Sequence, residues 1–209
     1  MTDVAAIILA AGRSRRMGAF KPLLPFGDST VILHCIQNLR RAGVETIIVV
    51  VGHRAEDLQL HLHNACVTFA VNPDSSSEMC TSIAFGTRAL PASTKAVVVT
   101  PVDHAAVPAD IVSKLIRCWQ KGAPLVVPTW HGRGGHPVVI DYRFREEMLS
   151  LDSTRGLRAL FDAHPAEVTR LPVDSPYIAR DMDTWDDYAA LHEDVFGVSP
   201  IKPRVPLKE

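Results

Sequence analysis

The chain has 209 residues, 47% of them apolar, which suits one α/β domain with a substantial core. Its 22 basic and 23 acidic side chains leave a formal net charge of -1, so nothing draws the whole molecule toward nucleic acid or an anionic membrane, and any affinity for phosphate has to be local. Four scattered cysteines (Cys35, Cys66, Cys80 and Cys118) include no CxxC pair, which argues against structural zinc and predicts core thiols at Cys35 and Cys118.

The first predicted element is a buried strand, Val4 to Leu9. It is too short to span a bilayer and lacks the basic flank of a signal peptide, so the cytoplasm is the expected compartment. The strand runs into Ala10-Ala11-Gly12-Arg13-Ser14-Arg15-Arg16-Met17-Gly18, with Lys21-Pro22 close behind. Small residues allow close approach of a ligand to backbone N–H groups, while arginine and lysine add charge. The loop therefore reads as a phosphate site at the carboxyl end of the first strand. Neither the Walker spacing nor Gly-x-Gly-x-x-Gly is present. Lys21 is expected to face solvent, so that its loss leaves stability within about 0.5 kcal/mol.

Beyond the loop, Val31, Ile32, Cys35, Ile36 and Leu39 repeat at three and four, predicting an amphipathic helix that ends near Gly43. Strands follow at Thr46 to Val51, Val67 to Val71, Ala96 to Thr100 and Leu125 to Pro128, alternating with helices at Ala55 to His63, Met79 to Leu90 and Ala109 to Gln120. Pro73 to Ser77 reads as a polar loop. His61 and His63, two apart on a helix, fall on different faces and read as surface residues. The second half is less regular, with strands at Val138 to Ile140 and Glu167 to Leu171 and a helix at Thr184 to His192, where Thr184 and Asp187 have capping-box spacing. The alternation predicts a three-layer, mostly parallel, Rossmann-like sheet with helices on both faces, and ligands beyond the carboxyl ends of the strands. One domain is expected over residues 1–194, followed by a Pro-rich tail at 195–209.

Two acidic positions could hold magnesium, which commonly takes one or two carboxylates and completes its shell with phosphate and water. Asp103 follows the fourth core strand, opposite the phosphate loop. Asp183 lies in Asp181-Met182-Asp183-Thr184, with Asp181 as the other candidate there. The plain structural alternatives are a turn aspartate and an acidic helix start.

The stretch from Leu9 to Leu24 closely resembles the signature Leu-Ala-Ala-Gly-x-Ser-x-Arg-Met-Gly-x-x-Lys-x-Leu-Leu of the MobA-like nucleotidyltransferases, which include the molybdenum cofactor cytidylyltransferases and guanylyltransferases. The resemblance extends to Gly135-His136-Pro137-Val138, to Asn72-Pro73 with Met79 and Ser82, to Gly156-Leu157-Arg158 and to the Asp181 to Thr184 segment. Departures fall at His104-Ala105, Glu78, Thr154 and Trp185. The resemblance implies the fold of the nucleotide-diphospho-sugar transferases. It also implies transfer of a nucleoside monophosphate from a nucleoside triphosphate to a phosphorylated acceptor, such as molybdopterin, with release of pyrophosphate. Leu9, Ala10, Ala11, Gly12, Arg13, Ser14, Arg16 and Lys21 would bind the nucleotide, with Arg16, Lys21 and Asp103 in the chemistry. Met79, Ser82, Gly135, His136, Pro137 and Arg158 would bind the acceptor, and Asp103 and Asp183 would bind Mg2+. Ala11, where guanylyltransferases have glycine, favours CTP over GTP. A molybdoenzyme client is an expected protein partner. A sugar-phosphate nucleotidyltransferase and a non-catalytic nucleotide-binding maturation factor stay open as alternatives.

Overall fold

The computed structural model describes residues 3–74 and 79–201. Strand β1 (Val4–Leu9) leads through the glycine- and arginine-containing loop and a 3-10 turn at Lys21–Leu23 into a small hairpin of β2 (Pro25–Phe26) and β3 (Ser29–Thr30). Then come α1 (Val31–Arg41), β4 (Thr46–Val51), α2 (Ala55–His61), β5 (Thr68–Val71), α3 (Met79–Arg88), β6 (Ala96–Pro101), α4 (Ala109–Gln120) and β7 (Leu125–Trp130). The second half holds β8 (Arg133–Gly134), β9 (Val138–Asp141), α5 (Arg145–Leu149), α6 (Leu157–Ala163), β10 (Val168–Pro172) and α7 (Trp185–Phe196).

The main sheet has the order β10-β7-β9-β6-β1-β4-β5, with β8 paired to β7. β1 lies parallel to both β4 and β6. Every residue of β1 is buried, as expected for a strand covered on both faces. Alternate side chains serve two cores. Val4, Ala6 and Ile8 pack with α1, α2, α4 and α7, and Ala5, Ile7 and Leu9 pack with α3, α5 and α6. This is the expected three-layer arrangement.

The chain leaves β1 toward β4 and β5 and returns to β6 on the other side. The strand order therefore reverses between β1 and β6, which is where open α/β sheets bind ligands. The register sets Leu9 beside Pro101, so the two carboxyl ends are level. β9 is the one strand of the central path that runs against its neighbours, antiparallel to both β6 and β7. Val138 pairs with Val99, so residues just before β9 emerge beside the carboxyl end of β6.

Local signals in the first half correspond closely to the elements, and α4 has the predicted bounds. The second half adds α5 and α6, whose five and seven residues are too short to show a helical period. Thr184 caps α7 through a capping box with Asp187, and Gly197 ends it in the left-handed conformation. The helix therefore runs two residues beyond the expected boundary at 194. Cys35 is buried as expected, whereas Cys118 is only partly covered. His61 and His63 are exposed. Most of the predicted polar loop (75–77), Glu78 and the prolines at 203 and 206 lie outside the described residues.

Candidate active site

A cleft of about 310 Å3 opens at the switch point between β1 and β6. Its lining includes Leu9 at the end of β1, Ala10, Ala11, Gly12, Ser14, Arg15 and Arg16 from the loop that follows, and Pro101, Val102 and Asp103 from the end of β6. Ser14 has a φ of 50°, which turns the loop back, and its hydroxyl accepts from the Lys21 backbone N–H at 3.3 Å. That bond ties the loop to the 3-10 turn that carries Lys21.

Lys21 is the centre of the site. Its ammonium donates to Asp103 Oδ2 at 3.0 Å and to Asp183 Oδ1 at 3.4 Å. Arg16 holds the other oxygen of Asp183 at 2.7 Å. The expectation of a solvent-facing lysine is corrected here: Lys21 is 7% exposed. A buried ammonium requires charged partners, and the two aspartates supply them. They come from positions 80 residues apart in sequence, so no local pattern could show the pairing. The two carboxylates retain 21% and 29% of their side-chain surface, enough for access from the cleft. Asp181 is exposed and absent from the lining, so Asp183 is the member of that pair turned to the site.

Two carboxylates converging on one cation are a donor set of the kind that hard divalent ions accept, with phosphate oxygens and water completing the shell. Among the described residues no group of three or more His, Cys, Asp and Glu gathers as a self-sufficient metal cage. The pair therefore fits a divalent ion shared with a ligand.

The remaining expected site residues divide into two groups. Met79 and Ser82, at the start of α3, line the cleft on the β5 side of the loop, away from Asp103. Asn72 and Asp74 join them there; Asn72, 1% exposed, donates to the Ser82 hydroxyl at 3.0 Å and accepts from the Asp74 backbone N–H at 3.1 Å. Asn72, Asp74, Arg15 and Pro22 are lining residues that the sequence reading left out, although Asn72-Pro73 carried the signal. Gly135, His136, Pro137, Arg13 and Arg158 are not in the lining; Arg13 and Arg158 are exposed.

His136 instead sits behind Asp103. Its ring centroid is 5.0 Å from that of His104. His104 Nε2 lies 3.9 Å from Asp103 Oδ1. Burial holds both imidazoles below the usual histidine range, His136 to about 4, with the neighbouring His104 adding to its shift. For His104, the Asp103 carboxylate and the Tyr177 backbone oppose that effect without cancelling it.

Comparison with known proteins bears on this arrangement. The family model of the MobA-like NTP transferase domain matches residues 6–170, from β1 into β10. The chain belongs to this family. As a MobA-like NTP transferase it is a nucleotidyltransferase, and its cleft holds the family's opening loop. It is 27% identical to the molybdenum cofactor cytidylyltransferase of Escherichia coli (strain K12) over 197 residues, 92% of this chain and 97% of that protein. It is also 27% identical to the nicotine blue oxidoreductase of Paenarthrobacter nicotinovorans, over 87% of this chain and 92% of that one. The fold is similar to that of Rv0371c from Mycobacterium tuberculosis, solved in complex with manganese, with a TM-score of 0.80, 25% identity, and coverage of 93% of this chain and 100% of that one.

Proposed function

We propose that this nucleotidyltransferase moves CMP from CTP to the phosphate of a small acceptor, molybdopterin being the acceptor favoured, with release of pyrophosphate. The observation that carries the reading is the convergence of Asp103 and Asp183 on Lys21 beneath the loop after β1. An anionic acceptor attacking an anionic α-phosphate needs charge neutralisation and alignment more than a protein nucleophile.

In this reading Leu9, Ala10, Ala11 and Gly12 lie against the base and ribose, with Met79 and Ser82 on the same side of the cleft. Ser14, Arg15 and Arg16 hold the triphosphate, and Arg13 adds charge at the mouth. Lys21 steadies the α-phosphate as an acceptor oxygen bonds to phosphorus and the bond to the pyrophosphate oxygen breaks. Asp103 and Asp183 would hold Mg2+, which when bound neutralises charge on the phosphate oxygens. The manganese complex of the mycobacterial protein supports a divalent ion here. The full-length similarity to a cytidylyltransferase supports CTP and the pterin acceptor. Arg158, Gly135, His136 and Pro137 keep a part in the acceptor side only through the family resemblance, since none lines the cleft.

Four free cysteines suit the reducing cytoplasm, and no helix among the described residues is long and apolar enough to cross a membrane. A molybdoenzyme that receives the product is the protein partner this function calls for. The test is pyrophosphate release with CTP or GTP against molybdopterin or sugar phosphates. Turnover confined to CTP and the pterin is the expected result; turnover with sugar phosphates alone would replace the acceptor assignment.

A further inference from the structure

The proposed metal site depends on Asp183, which lies on no strand or helix. It is carried by a short link between the 3-10 turn Pro176–Ala179 and α7. Downstream, its place is fixed by the capping box at Thr184 and by Tyr188, fully buried, whose hydroxyl donates to the Pro25 carbonyl. Upstream, the turn rests on Gly135-His136. The His136 backbone N–H donates to the Ile178 carbonyl at 2.8 Å, and the Gly135 N–H donates to Pro128 of β7 at 3.0 Å. The approach is so close that a Cβ on Gly135 would stand 2.0 Å from the Ile178 oxygen and 2.5 Å from its carbonyl carbon. Glycine is required at 135 for space, not for an unusual backbone angle, since its φ is not positive.

The side chain of the same dipeptide packs beside the carrier of the other carboxylate. The His136 ring packs on His104, the residue next to Asp103, and the Tyr177 backbone also reaches His104. Gly135-His136 thus touches the carriers of both aspartates while contributing nothing to the cleft wall. Building on the proposed metal site, we infer that Gly135 and His136 are positioning residues that set the approach of Asp183 to Asp103 and Lys21. Ile178 and Met182 are both fully buried and anchor the two ends of the short link that carries Asp183. A methyl group at 135 forces the turn back by roughly 1 Å or more, since non-bonded atoms settle at about 3.5–4.0 Å. Displacement on that scale is enough to weaken a metal site, because groups that orient ligands typically control about 10–100-fold in metal affinity.

The test is titration of Mn2+ by electron paramagnetic resonance in the presence of CTP, with melting temperature recorded for each variant. Gly135→Ala is expected to bind Mn2+ about tenfold more weakly than the wild type while remaining folded. If it acts through Asp183, Asp183→Asn in the Gly135→Ala background should weaken binding further by much less than Asp183→Asn does alone. Fully additive losses, or wild-type Mn2+ affinity in folded Gly135→Ala, would overturn the inference. Should Gly135→Ala fail to fold, His136→Ala decides, because it keeps the glycine and the peptide N–H but removes the ring behind Asp103. A severalfold weaker Mn2+ affinity is expected, and an unchanged one counts against the role. Mn2+ binding indifferent to both Asp103→Asn and Asp183→Asn would overturn the metal assignment itself. A site that responds to both of those but not to Gly135→Ala would overturn only the positioning role.

Discussion

Replacing Lys21 by methionine keeps the aliphatic stem and removes the charge between Asp103 and Asp183. Exposed ion pairs contribute about 0.2–1 kcal/mol, while removing one partner from a fully buried pair costs about 3–5 kcal/mol. Lys21 is 7% exposed, but its two partners keep 21% and 29% of their side-chain surface. The cost should therefore fall between those limits, at about 1–3 kcal/mol. For a domain of this size 1 kcal/mol moves the melting temperature by about 2–4 °C, so a fall of roughly 2–12 °C is expected without ligands. Turnover should fall by about 10²–10³, as for loss of one preorganised donor. The variant should also be stabilised by Mg2+ more than the wild type is, because its carboxylates have lost their internal cation. Differential scanning fluorimetry with and without Mg2+, alongside pyrophosphate release, measures all three. A melting temperature unchanged from wild type would refute the view that Lys21 neutralises this carboxylate pair.

Other consequences can be tested in the same assays. Asp103→Asn and Asp183→Asn should each demand more Mg2+ or fail outright, and unchanged Mg2+ dependence in Asp183→Asn would return that residue to a helix-start role. CTP should have a higher specificity constant than GTP, and Ala11→Gly should narrow the gap by about 1–3 kcal/mol, the value of one methyl group in a pocket; a native preference for GTP would contradict the assignment. Folding stability should drop on the acid side. His136 titrates near 4 when folded against 6.5 when free, so the unfolded chain takes up its proton first as pH falls. That contribution is complete above about pH 6.5 and is lost progressively toward pH 4, by at most about 3 kcal/mol, with His104 shifted in the same direction. Urea unfolding at pH 7 and pH 5 should show the loss, and His136→Gln should remove most of it.

The parts of this molecule that could be read from the chain are those whose signals are local. β1 is a continuous apolar run because both its faces are covered, and α1 and α4 declare themselves by period. The loop that lines the cleft could be picked out because its small residues, arginines and lysine are contiguous. The burial of Lys21 was hidden, because the carboxylates that permit it come from the end of β6 and the start of α7. The approach of Met79 and Ser82 to the cleft was hidden for the same reason: it depends on α3 packing across β1 and β4 and on Asn72, just past β5, reaching Ser82. Gly135-His136 suggested an acceptor-binding turn only through the family resemblance, and the close approach of Ile178 to Gly135, which lies far along the chain, had no local signal.

The three charged groups also constrain how the site can work. Lys21 and Arg16 together satisfy Asp183, and Lys21 satisfies Asp103, so the free protein already neutralises its own carboxylates. A triphosphate that draws Lys21 and Arg16 toward its own oxygens would leave two aspartates partly buried and facing each other. That arrangement is costly unless another cation takes them. Conversely, a divalent ion alone would have to compete with a lysine already in place. If the site binds both as proposed, nucleotide and metal should be poorly accommodated one at a time and well accommodated together, since each would offer the partner that the other's arrival leaves unpaired. By linkage, whatever affinity the metal adds to the nucleotide, the nucleotide adds to the metal. On the proposed reading, the ion pairs around Lys21 would act as a threshold that a nucleotide–metal complex clears more easily than either component, and the link beside Gly135 would set how closely Asp183 takes part in it.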